Sequence, residues 1–568
     1  MMNIKPLFRA LATTVVASAL VCASASAVAD PEKPLPGDGA AVEGLALGSL
    51  ISTAVLVTPA TKTEPQKLYV WGYRKNGHSG NYNWNGHNVG FEHNSAADRK
   101  KYPRFESVKD FNDPNHPLSK QTIARTFSTA HTILVMTEEG ELWGWGDSLT
   151  GTAGCIETGY ETGVDSSNRF TDYGIVYNTY NTTRGSKKAS HYQARPCPSF
   201  SRTHPNPELR RKVTFVDGGE YNVIALTADG HVFTWGSASY SQTVKHSSLP
   251  SGNRGEPLDI TKFFVDADGD PETVTLVGGA YEGQYAVSFD KKGKYTLWGW
   301  GRNNSRSLIN SGDCDVNVPT RLTQYDEYAK DIIYVNGGYR WTAVLLNDGR
   351  VYGSGVMRGL GQGDGRLLDG NYFFQPQLIM GGTSGYPRVK QLIARYAGGV
   401  AVPFDEDTNG ENVIYTWGWT SGSAYMQVYG DYPTKRVLAG KLKSLGATKE
   451  SVFYMTEDNK LYGIGYGDQR VINLCDNNTI SWDRMQQKYT QKNSMNWYRG
   501  PDKPGGYRIP YEEQLDVTDR DYCDGKFTDG YYSGKDRSLV RQWTGYDDGR
   551  DGPVPSYSLI LCAKSDEC

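Results

Sequence analysis

The sequence lacks an excess of positive charge. Its 568 residues include 60 Lys and Arg against 63 Asp and Glu, which gives a formal net charge of -3 at pH 7. Proteins that hold nucleic acids usually neutralise the phosphates with a basic surface. The charge balance therefore argues against a nucleic acid as the partner of this protein.

Long apolar runs are absent after the first part of the chain. The best candidate, residues 45–57, has 13 residues and includes Ser and Thr. A membrane-spanning helix needs about 18–20 predominantly apolar residues. We therefore expect no transmembrane span in the mature protein.

The N-terminus contains one short apolar run. Residues 11–21 follow Lys5 and Arg9 and precede a stretch of small residues, which is the pattern of a bacterial export signal. We predict a signal peptide at residues 1–29. After its cleavage the protein would be secreted, displayed at the cell surface or periplasmic.

Cysteine is scarce, with 8 residues in the chain. Cys22 would leave with the signal peptide, and an oxidising compartment favours disulfides among the others. Cys155 and Cys197 lie in one long polar insertion, and we predict that they pair. Closing that loop of about 40 residues would stabilise the fold by roughly 3–4 kcal/mol.

Common catalytic motifs are missing as well. The sequence has no Gly-x-Ser-x-Gly elbow, no His-Glu-x-x-His pair and no phosphate-binding Gly-x-x-x-x-Gly-Lys-Ser/Thr loop. The chain is therefore not predicted to be an enzyme. Carboxylates that meet only in the folded protein leave no such motif, so a glycan-active enzyme stays an alternative.

What the sequence does contain is a repeat. A short apolar strand, a turn, a second strand and a Trp-Gly or similar ending recur at spacings of 47 to 90 residues. The glycines that end the copies are Gly72, Gly146, Gly236, Gly301, Gly355, Gly418 and Gly465. Each copy predicts a β-hairpin, because the cleanest turns are Asp-Gly, as in Asp229-Gly230 and Asp348-Gly349.

A second apolar element precedes each hairpin, so each repeat predicts a four-stranded sheet. A sheet of that size buries both faces only by stacking on copies of itself. Sheets stacked radially into a closed ring leave no open edge. We therefore predict an all-β fold, a seven-bladed β-propeller of four-stranded blades at residues 42–474. The Trp residues in the repeat endings are expected to pack between the blades. They are Trp71, Trp143, Trp145, Trp235, Trp298, Trp300, Trp417 and Trp419.

The repeat resembles that of the regulator of chromosome condensation family. The segment LTADGHVFTWG at 226–236 is close to the family consensus, and GVMRGLGQGDG at 355–365 is similar to the stretch that follows it. The resemblance implies a propeller. Members exported by bacteria include an inhibitor that binds β-lactamases through aromatic loops, so the resemblance also implies a protein-binding face.

The end of the chain departs from the repeat. Residues 475–568 are polar and rich in Tyr, Gly and Asp, and they contain further cysteines after Cys475. We interpret them as a small disulfide-containing C-terminal extension. The alternative is that the strand-like run at 557–561 helps to close the ring.

A Tyr recurs in the loop before the hairpin. These residues are Tyr221, Tyr281, Tyr339 and Tyr396, with Arg340, Trp341 and Arg395 beside them. Equivalent loops of a propeller emerge on one face, so the side chains are expected to cluster there. Tyr, Trp and Arg dominate binding hot spots, which predicts a protein-binding face. The alternative is that these Tyr pack the inner edge of each blade.

Two acidic loops are similar to calcium-binding loops. Asp405, Asp407 and Asn409 precede Gly410 in the alternating order of an EF-hand. The twelfth position is Thr416 rather than Glu, which favours a solvated acidic turn over a calcium site. The second loop, residues 266–270, is shorter still. Apart from calcium, no cofactor is expected.

Together these patterns favour an exported binding module. We predict that it binds an extracellular or surface protein, or a glycan, as an adhesin, an adhesin partner or an inhibitor of a secreted protein. One alternative is a glycan-active enzyme with carboxylates in the propeller channel. The other is a structural module docked on an outer-membrane partner.

Overall fold

The structure is a computed structural model, and it describes only part of the chain. The described residues are 40–47, 52–59, 67–72, 106–107, 116–128, 132–147, 151–154, 175–178, 190–219, 222–249, 252, 254–310, 315–357, 359–362, 372–395, 398–418, 432–447, 451–457, 461–466, 508–509, 515–516, 538–539, 542–544 and 556–557.

The described strands form seven sheets, which we number in chain order. Sheet 1 begins with β1 (Ala40–Leu47), β2 (Ser52–Pro59), β3 (Lys67–Gly72) and β4 (Glu106–Ser107). Sheet 2 contains β5 (Ile123–Ser128), β6 (Thr132–Thr137), β7 (Leu142–Asp147), β8 (Ile175–Asn178) and β9 (Ser190–Phe200). Sheet 3 contains β10 (Val213–Gly218), β11 (Asn222–Thr227), β12 (Val232–Gly236) and β13 (Arg254–Asp259).

Sheets 4 to 6 repeat the four-stranded antiparallel order of sheet 3. Sheet 4 contains β14 (Thr273–Gly279), β15 (Gly283–Phe289), β16 (Tyr295–Gly301) and β17 (Val316–Arg321). Sheet 5 contains β18 (Ile332–Gly338), β19 (Trp341–Leu346), β20 (Val351–Val356) and β21 (Tyr372–Met380). Sheet 6 contains β22 (Val389–Arg395), β23 (Gly398–Pro403), β24 (Val413–Gly418) and β25 (Thr434–Val437).

Short strands from the end of the chain join two of the sheets. Sheet 7 contains β26 (Leu442–Ala447), β27 (Ser451–Thr456), β28 (Leu461–Tyr466), β29 (Arg508–Ile509) and β30 (Leu515–Asp516). Sheet 1 gains β31 (Ser538–Leu539), β32 (Gln542–Thr544) and β33 (Ser556–Tyr557). β31 and β32 run parallel to β1. These short segments after residue 475 therefore pair with strands of sheets 1 and 7, while the disulfide-containing extension at 475–568 stays a prediction.

The hairpins form where the sequence predicts them. At the Asp-Gly turn of sheet 3, the Thr227 backbone carbonyl accepts a hydrogen bond from the Gly230 N–H. Gly230 has a φ of 83°, a conformation that glycine adopts without strain. All six residues of β6, β11 and β19 are buried. A strand buried on both faces must have a neighbouring sheet on each side, so the sheets are stacked face to face.

The first strands of successive sheets contact one another, from β5 through β10, β14, β18 and β22 to β26, and β1 contacts both β26 and β5. One continuous apolar core extends from Leu118 to Trp417 between sheets 2 and 6. This arrangement is that of blades packed around an axis.

Short 3-10 turns lie in the connections between strands. They lie at Pro117–Lys120, Pro207–Leu209, Thr261–Phe263, Thr323–Tyr325, Ala329–Asp331 and Asp405–Thr408. Within the described ranges, no helix has the length and apolar character needed to cross a membrane.

Candidate functional site

Two sets of loops share one face of the sheets. In an antiparallel four-stranded sheet, the connections from the first to the second strand and from the third to the fourth strand leave at the same end. We call the surface that carries these connections the loop face. The other connections, including the Asp-Gly turns, lie on the opposite face.

Buried Trp residues hold the longer connections of the loop face. The indole N–H groups of Trp235, Trp300 and Trp417 donate to carbonyl oxygens of the preceding sheet's long loop, namely Thr152, Gln242 and Gly359, each at 2.9 Å. We call these three bonds the indole clamps. The prediction that the recurrent Trp pack between blades is confirmed for the Trp whose side chains are described, because all of them are buried; the side chains of Trp71 and Trp419 lie outside the described residues.

Arg302 lies at the centre of a polar and aromatic group on the loop face. It directly follows Gly301, the last residue of β16. Its guanidinium carbon is 4.4 Å from the centre of the Tyr240 ring and 5.6 Å from that of Tyr339. Its Nη1 donates to Glu282 Oε2 at 2.5 Å, and its backbone N–H donates to the Glu282 carbonyl at 2.8 Å.

These residues come from three successive sheets. Tyr240 is in the long loop of sheet 3, Glu282 and Arg302 are in the two loops of sheet 4, and Tyr339 is in the first loop of sheet 5. We call Tyr240, Glu282, Arg302, Tyr339 and Arg340 the Arg302 cluster. Glu282 is 8% exposed, whereas the other four are partly exposed.

Arg340 has a strained backbone in the tight turn between β18 and β19. Its φ is 68°, a left-handed conformation that costs a non-glycine residue about 1–2 kcal/mol. The Arg340 carbonyl accepts hydrogen bonds from Ser305 Oγ and the Val356 N–H, both at 2.9 Å. These bonds hold the turn, and the guanidinium carbon of Arg340 lies 4.5 Å from the centre of the Tyr339 ring.

Gly355 makes room for this turn. A Cβ atom on Gly355 would be 2.3 Å from the Arg340 carbonyl oxygen, and the φ of Gly355 is 105°. Both features require glycine. The glycine that ends the repeat in sheet 5 therefore also fixes the position of Arg340 on the loop face.

The charge of the Arg302 cluster depends on Glu282. Burial raises the pKa of Glu282 to about 7, although the hydrogen bond from Arg302 and the charges of Arg302 and Arg340 oppose the rise. Burial also raises the pKa of Asp315, which lies nearby. Burial and the charge of Glu282 raise the pKa of Tyr240. Glu282 therefore changes its charge near neutral pH.

The structure places only part of the predicted binding set on the loop face. Tyr339 and Arg340 belong to the Arg302 cluster. Tyr281 is 6% exposed and Trp341 is 1% exposed, so both pack inside rather than at the surface. The Tyr281 ring meets the Tyr339 ring edge to face, with centroids 5.1 Å apart.

The side chains of three residues of the predicted set lie outside the described part of the chain. Tyr221 and Tyr396 lie outside the described residues, and so does the side chain of Arg395 at the end of β22. Their contribution to the face stays a prediction.

The sequence analysis missed Tyr240, Glu282, Arg302 and the Arg306–Tyr372 pair. The guanidinium carbon of Arg306 is 5.2 Å from the centre of the Tyr372 ring. Tyr240, Arg302 and Arg306 lie in long loops that have no common length between repeats, so repeat alignment does not reveal them. The available signal was that Arg302 directly follows the repeat glycine and Glu282 directly follows Tyr281.

The acidic residues of the predicted calcium loop are engaged by basic side chains. Asp405 pairs with Lys390 at 2.6 Å and Asp407 with Arg388 at 3.0 Å. Hydrogen bonding from Arg388 lowers the pKa of Asp407. Asn409, with a φ of 54°, ends the 3-10 turn. These contacts are those of an ion-paired turn.

The second acidic loop has a similar arrangement. Asp266 Oδ1 accepts the N–H groups of Asp268 and Asp270, each at 2.9 Å, while Lys291 and Lys292 pair with Asp270 and Asp268. In the part of the chain that the structure describes, no group of three or more His, Cys, Asp or Glu side chains is placed to hold a metal ion.

Cys197 is fully buried and disulfide-bonded. It packs against Ala153 in the loop that follows β7. Cys155 follows two residues later but lies outside the described residues. The pairing of Cys155 with Cys197 therefore stays a prediction.

The axis carries a single described carboxylate. Among the first strands whose side chains are described, Asp217 of β10 is the only Asp or Glu, and it is 4% exposed. Its Oδ2 accepts the Gly279 N–H at 2.5 Å and Asn336 Nδ2 at 2.9 Å. Burial holds the pKa of Asp217 well above its ordinary value, so its carboxyl is stabilised in the neutral form.

No family model matches the chain. It is similar to the human probable E3 ubiquitin-protein ligase HERC3, with 30% identity over 141 residues, or 25% of this chain and 12% of that protein. It is also similar to the ultraviolet-B receptor UVR8 of Arabidopsis thaliana, with 26% identity over 165 residues, or 28% of this chain and 32% of that protein. The chain thus matches less than a third of the receptor and about an eighth of the ligase.

Among solved structures, the chain is similar to Prp20p of Saccharomyces cerevisiae, with a TM-score of 0.50 and 13% identity over 89% of this chain and 93% of that chain. At this identity the likeness shows the fold alone. The repeats, the stacked four-stranded sheets and this likeness agree: the chain has an all-β propeller fold, and its repeats are similar to those of the regulator of chromosome condensation family.

Proposed function

We propose that the protein is an exported, seven-bladed propeller that binds another protein through its loop face. The observation that carries this proposal is the Arg302 cluster, in which two Tyr and two Arg side chains from three sheets meet in partly exposed positions. In the proposed setting the partner is an extracellular or surface protein, and the chain acts as an adhesin, an adhesin partner or an inhibitor of a secreted protein.

The composition of the cluster supports binding to a protein. Tyr and Arg bury a large area with few rotatable bonds or with preorganised donors, and they are enriched at interface hot spots. Stacking of Arg302 between Tyr240 and Tyr339 restricts these side chains before any partner arrives. Prearranged side chains lose less entropy on binding.

The similar protein Prp20p provides one supporting precedent, since it was examined for its binding to Gsp1p and histones. We take from it only that a propeller of this kind can serve as a protein-binding module. Glycan turnover, the alternative enzyme function, needs paired carboxylates, and the described part of the axis offers the single buried Asp217.

A capture experiment tests the proposal. The purified mature protein is immobilised, and candidate surface and secreted proteins are passed over it. The face variant carries Tyr240→Ala and Tyr339→Ala; the control carries Tyr386→Ala, a half-buried Tyr between β21 and β22 on the opposite face. Circular dichroism checks that all three proteins are folded.

We expect a partner that binds the wild type and the control equally and the face variant at least about 30-fold more weakly, as hot-spot losses of about 2 kcal/mol imply. Equal binding by all three proteins would show that the loop face near Arg302 is not the interface.

A further inference from the structure

We infer that the Arg302 cluster receives an acidic segment of the partner protein, and that Glu282 is an internal carboxylate that competes with that segment for Arg302. This inference rests on the proposed protein-binding function and adds the chemistry of the partner and the control of its binding.

The first argument is the state of the Arg302 guanidinium. An Arg side chain has five N–H donors. Among the described residues the guanidinium of Arg302 makes one hydrogen bond, from Nη1 to Glu282. Tyr240 and Tyr339 lie against it at 4.4 and 5.6 Å, so its position is fixed while donors remain for a further acceptor. Carboxylates match this planar fork with two parallel hydrogen bonds.

The second argument is the local charge. Three guanidinium groups lie on the two adjoining loops of sheets 4 and 5, those of Arg302, Arg306 and Arg340. Lys245, in the loop of sheet 3, is exposed and acts on Asp315 through its charge. Among the described residues the facing carboxylates are Glu282 and Asp315, and the described basic groups outnumber them. An acidic partner segment complements this excess.

The third argument is the position of Glu282. It is in the loop between β14 and β15, where it is buried on one side and hydrogen-bonded to Arg302 on the other. Ionised Glu282 balances the charge of Arg302 within the protein and so weakens the attraction of Arg302 for an external carboxylate. Neutral Glu282 leaves Arg302 with an unbalanced charge.

The groups around Glu282 set the direction of the pH effect. Arg302 and Arg340 favour its ionised form, whereas burial and Asp315 oppose ionisation, which places its pKa at about 7. Burial and the charge of Glu282 raise the pKa of Tyr240, so its hydroxyl stays neutral in this range. The Asp and Glu side chains of an exposed partner segment stay ionised down to about pH 5. Lowering the pH from 8 to 6 should therefore strengthen binding.

The size of the effect follows from the population of neutral Glu282. With a pKa of about 7, the neutral fraction rises from about one tenth at pH 8 to about nine tenths at pH 6. Apparent affinity scales with the competent fraction, so binding of an acidic segment should strengthen about 10-fold over this range.

Fluorescence anisotropy with a labelled peptide of alternating Glu and Tyr tests the inference. A peptide with Gln in place of each Glu is the charge control, and both are measured at pH 8 and pH 6 at one ionic strength. The variants are Glu282→Gln, Arg302→Lys and, as matched control, Arg350→Lys. The guanidinium carbon of Arg350 lies 5.6 Å from the centre of the Tyr352 ring, and its Nε is 2.6 Å from Asp348 Oδ2. Arg350 thus has the same kinds of contact as Arg302, but it lies on the opposite face.

We expect the wild type and Arg350→Lys to bind the Glu peptide about 10-fold more tightly at pH 6 than at pH 8. Glu282→Gln should bind tightly at both values, because the competitor is gone. Arg302→Lys should bind weakly at both, because an ammonium group keeps the charge but lacks the fork. The Gln peptide should bind weakly to all.

Other results would overturn the inference. These are wild-type binding that does not change with pH, equal losses in Arg302→Lys and Arg350→Lys, or tighter binding of an anionic polysaccharide, polygalacturonate, than of the Glu peptide. A partner captured through Tyr240 and Tyr339 whose binding ignores Glu282→Gln would refute this inference alone. Capture that ignores the Tyr changes would refute the proposed function as well.

Discussion

Replacing Trp300 with Phe removes one indole clamp while keeping most of the buried ring. The Nε1 of Trp300 donates to the Gln242 carbonyl at 2.9 Å. Within the described part of the chain, the one other donor near that carbonyl is the Thr234 hydroxyl at 3.4 Å, which is closer to Gln284 Oε1, at 2.8 Å. Trp300→Phe therefore leaves a buried carbonyl without a good donor.

The cost can be isolated with a second substitution. Trp143 is also buried, at 3% exposed, but its Nε1 has no hydrogen-bond partner among the described residues. Trp143→Phe thus removes a similar volume and no hydrogen bond. Leaving a buried acceptor unsatisfied costs about 1–3 kcal/mol, so the free energy of unfolding should fall by about that much more in Trp300→Phe than in Trp143→Phe.

Urea denaturation followed by far-ultraviolet circular dichroism measures this difference. A common slope for the two variants allows their midpoints to be compared directly. Equal losses of stability in the two variants would refute the idea that the clamps contribute through their hydrogen bonds rather than through packing alone.

Single substitutions elsewhere test other features by the same urea assay. Burial raises the pKa of Asp217 in the folded protein, so its contribution to stability is present at acid pH and is lost as pH rises above about 4. The wild type should therefore lose stability relative to Asp217→Asn between about pH 4 and pH 8; parallel pH profiles would contradict this. Gly355→Ala should cost at least about 2 kcal/mol, because it adds a backbone clash to the strain. Gly230→Ala, where a Cβ has nothing within 4 Å, should cost about 1 kcal/mol; equal costs would remove the role of the clash. Millimolar calcium should leave the midpoint unchanged, because Asp405 and Asp407 are ion-paired; calcium-dependent heat in titration calorimetry would contradict that expectation.

The hairpins could be predicted because their signals are local. An Asp-Gly pair followed by alternating apolar residues determines a tight turn, as at Gly230, within a few residues. The repeated Trp-Gly ending also predicted the buried indoles. The pairing of β31 and β32 with β1 is a contact between residues almost 500 positions apart, and two- or three-residue strands leave no periodic pattern from which it could be read.

The candidate site could be predicted only in part, for a related reason. Tyr339 and Tyr281 occupy equivalent sequence positions, yet one is partly exposed and the other is covered by it. Repeat alignment treats the two as equal, because it contains no information about which neighbour covers which. Arg302 and Glu282 are adjacent to the repeat signals, but their pairing depends on two loops that meet only in the folded sheet.

The Arg302 cluster is connected to one of the indole clamps through Gln242. The backbone carbonyl of Gln242 accepts the hydrogen bond from Trp300 Nε1, and the side-chain Oε1 of Gln242 accepts one from the Tyr240 N–H at 2.8 Å. The bond that joins sheet 4 to the loop of sheet 3 therefore also positions the Tyr on which Arg302 stacks. Because the cluster takes residues from three successive sheets, a change in their relative rotation would separate its members. We thus expect Trp300→Phe, unlike Trp143→Phe, to weaken binding of the Glu peptide at pH 6 even under conditions in which both variants are fully folded.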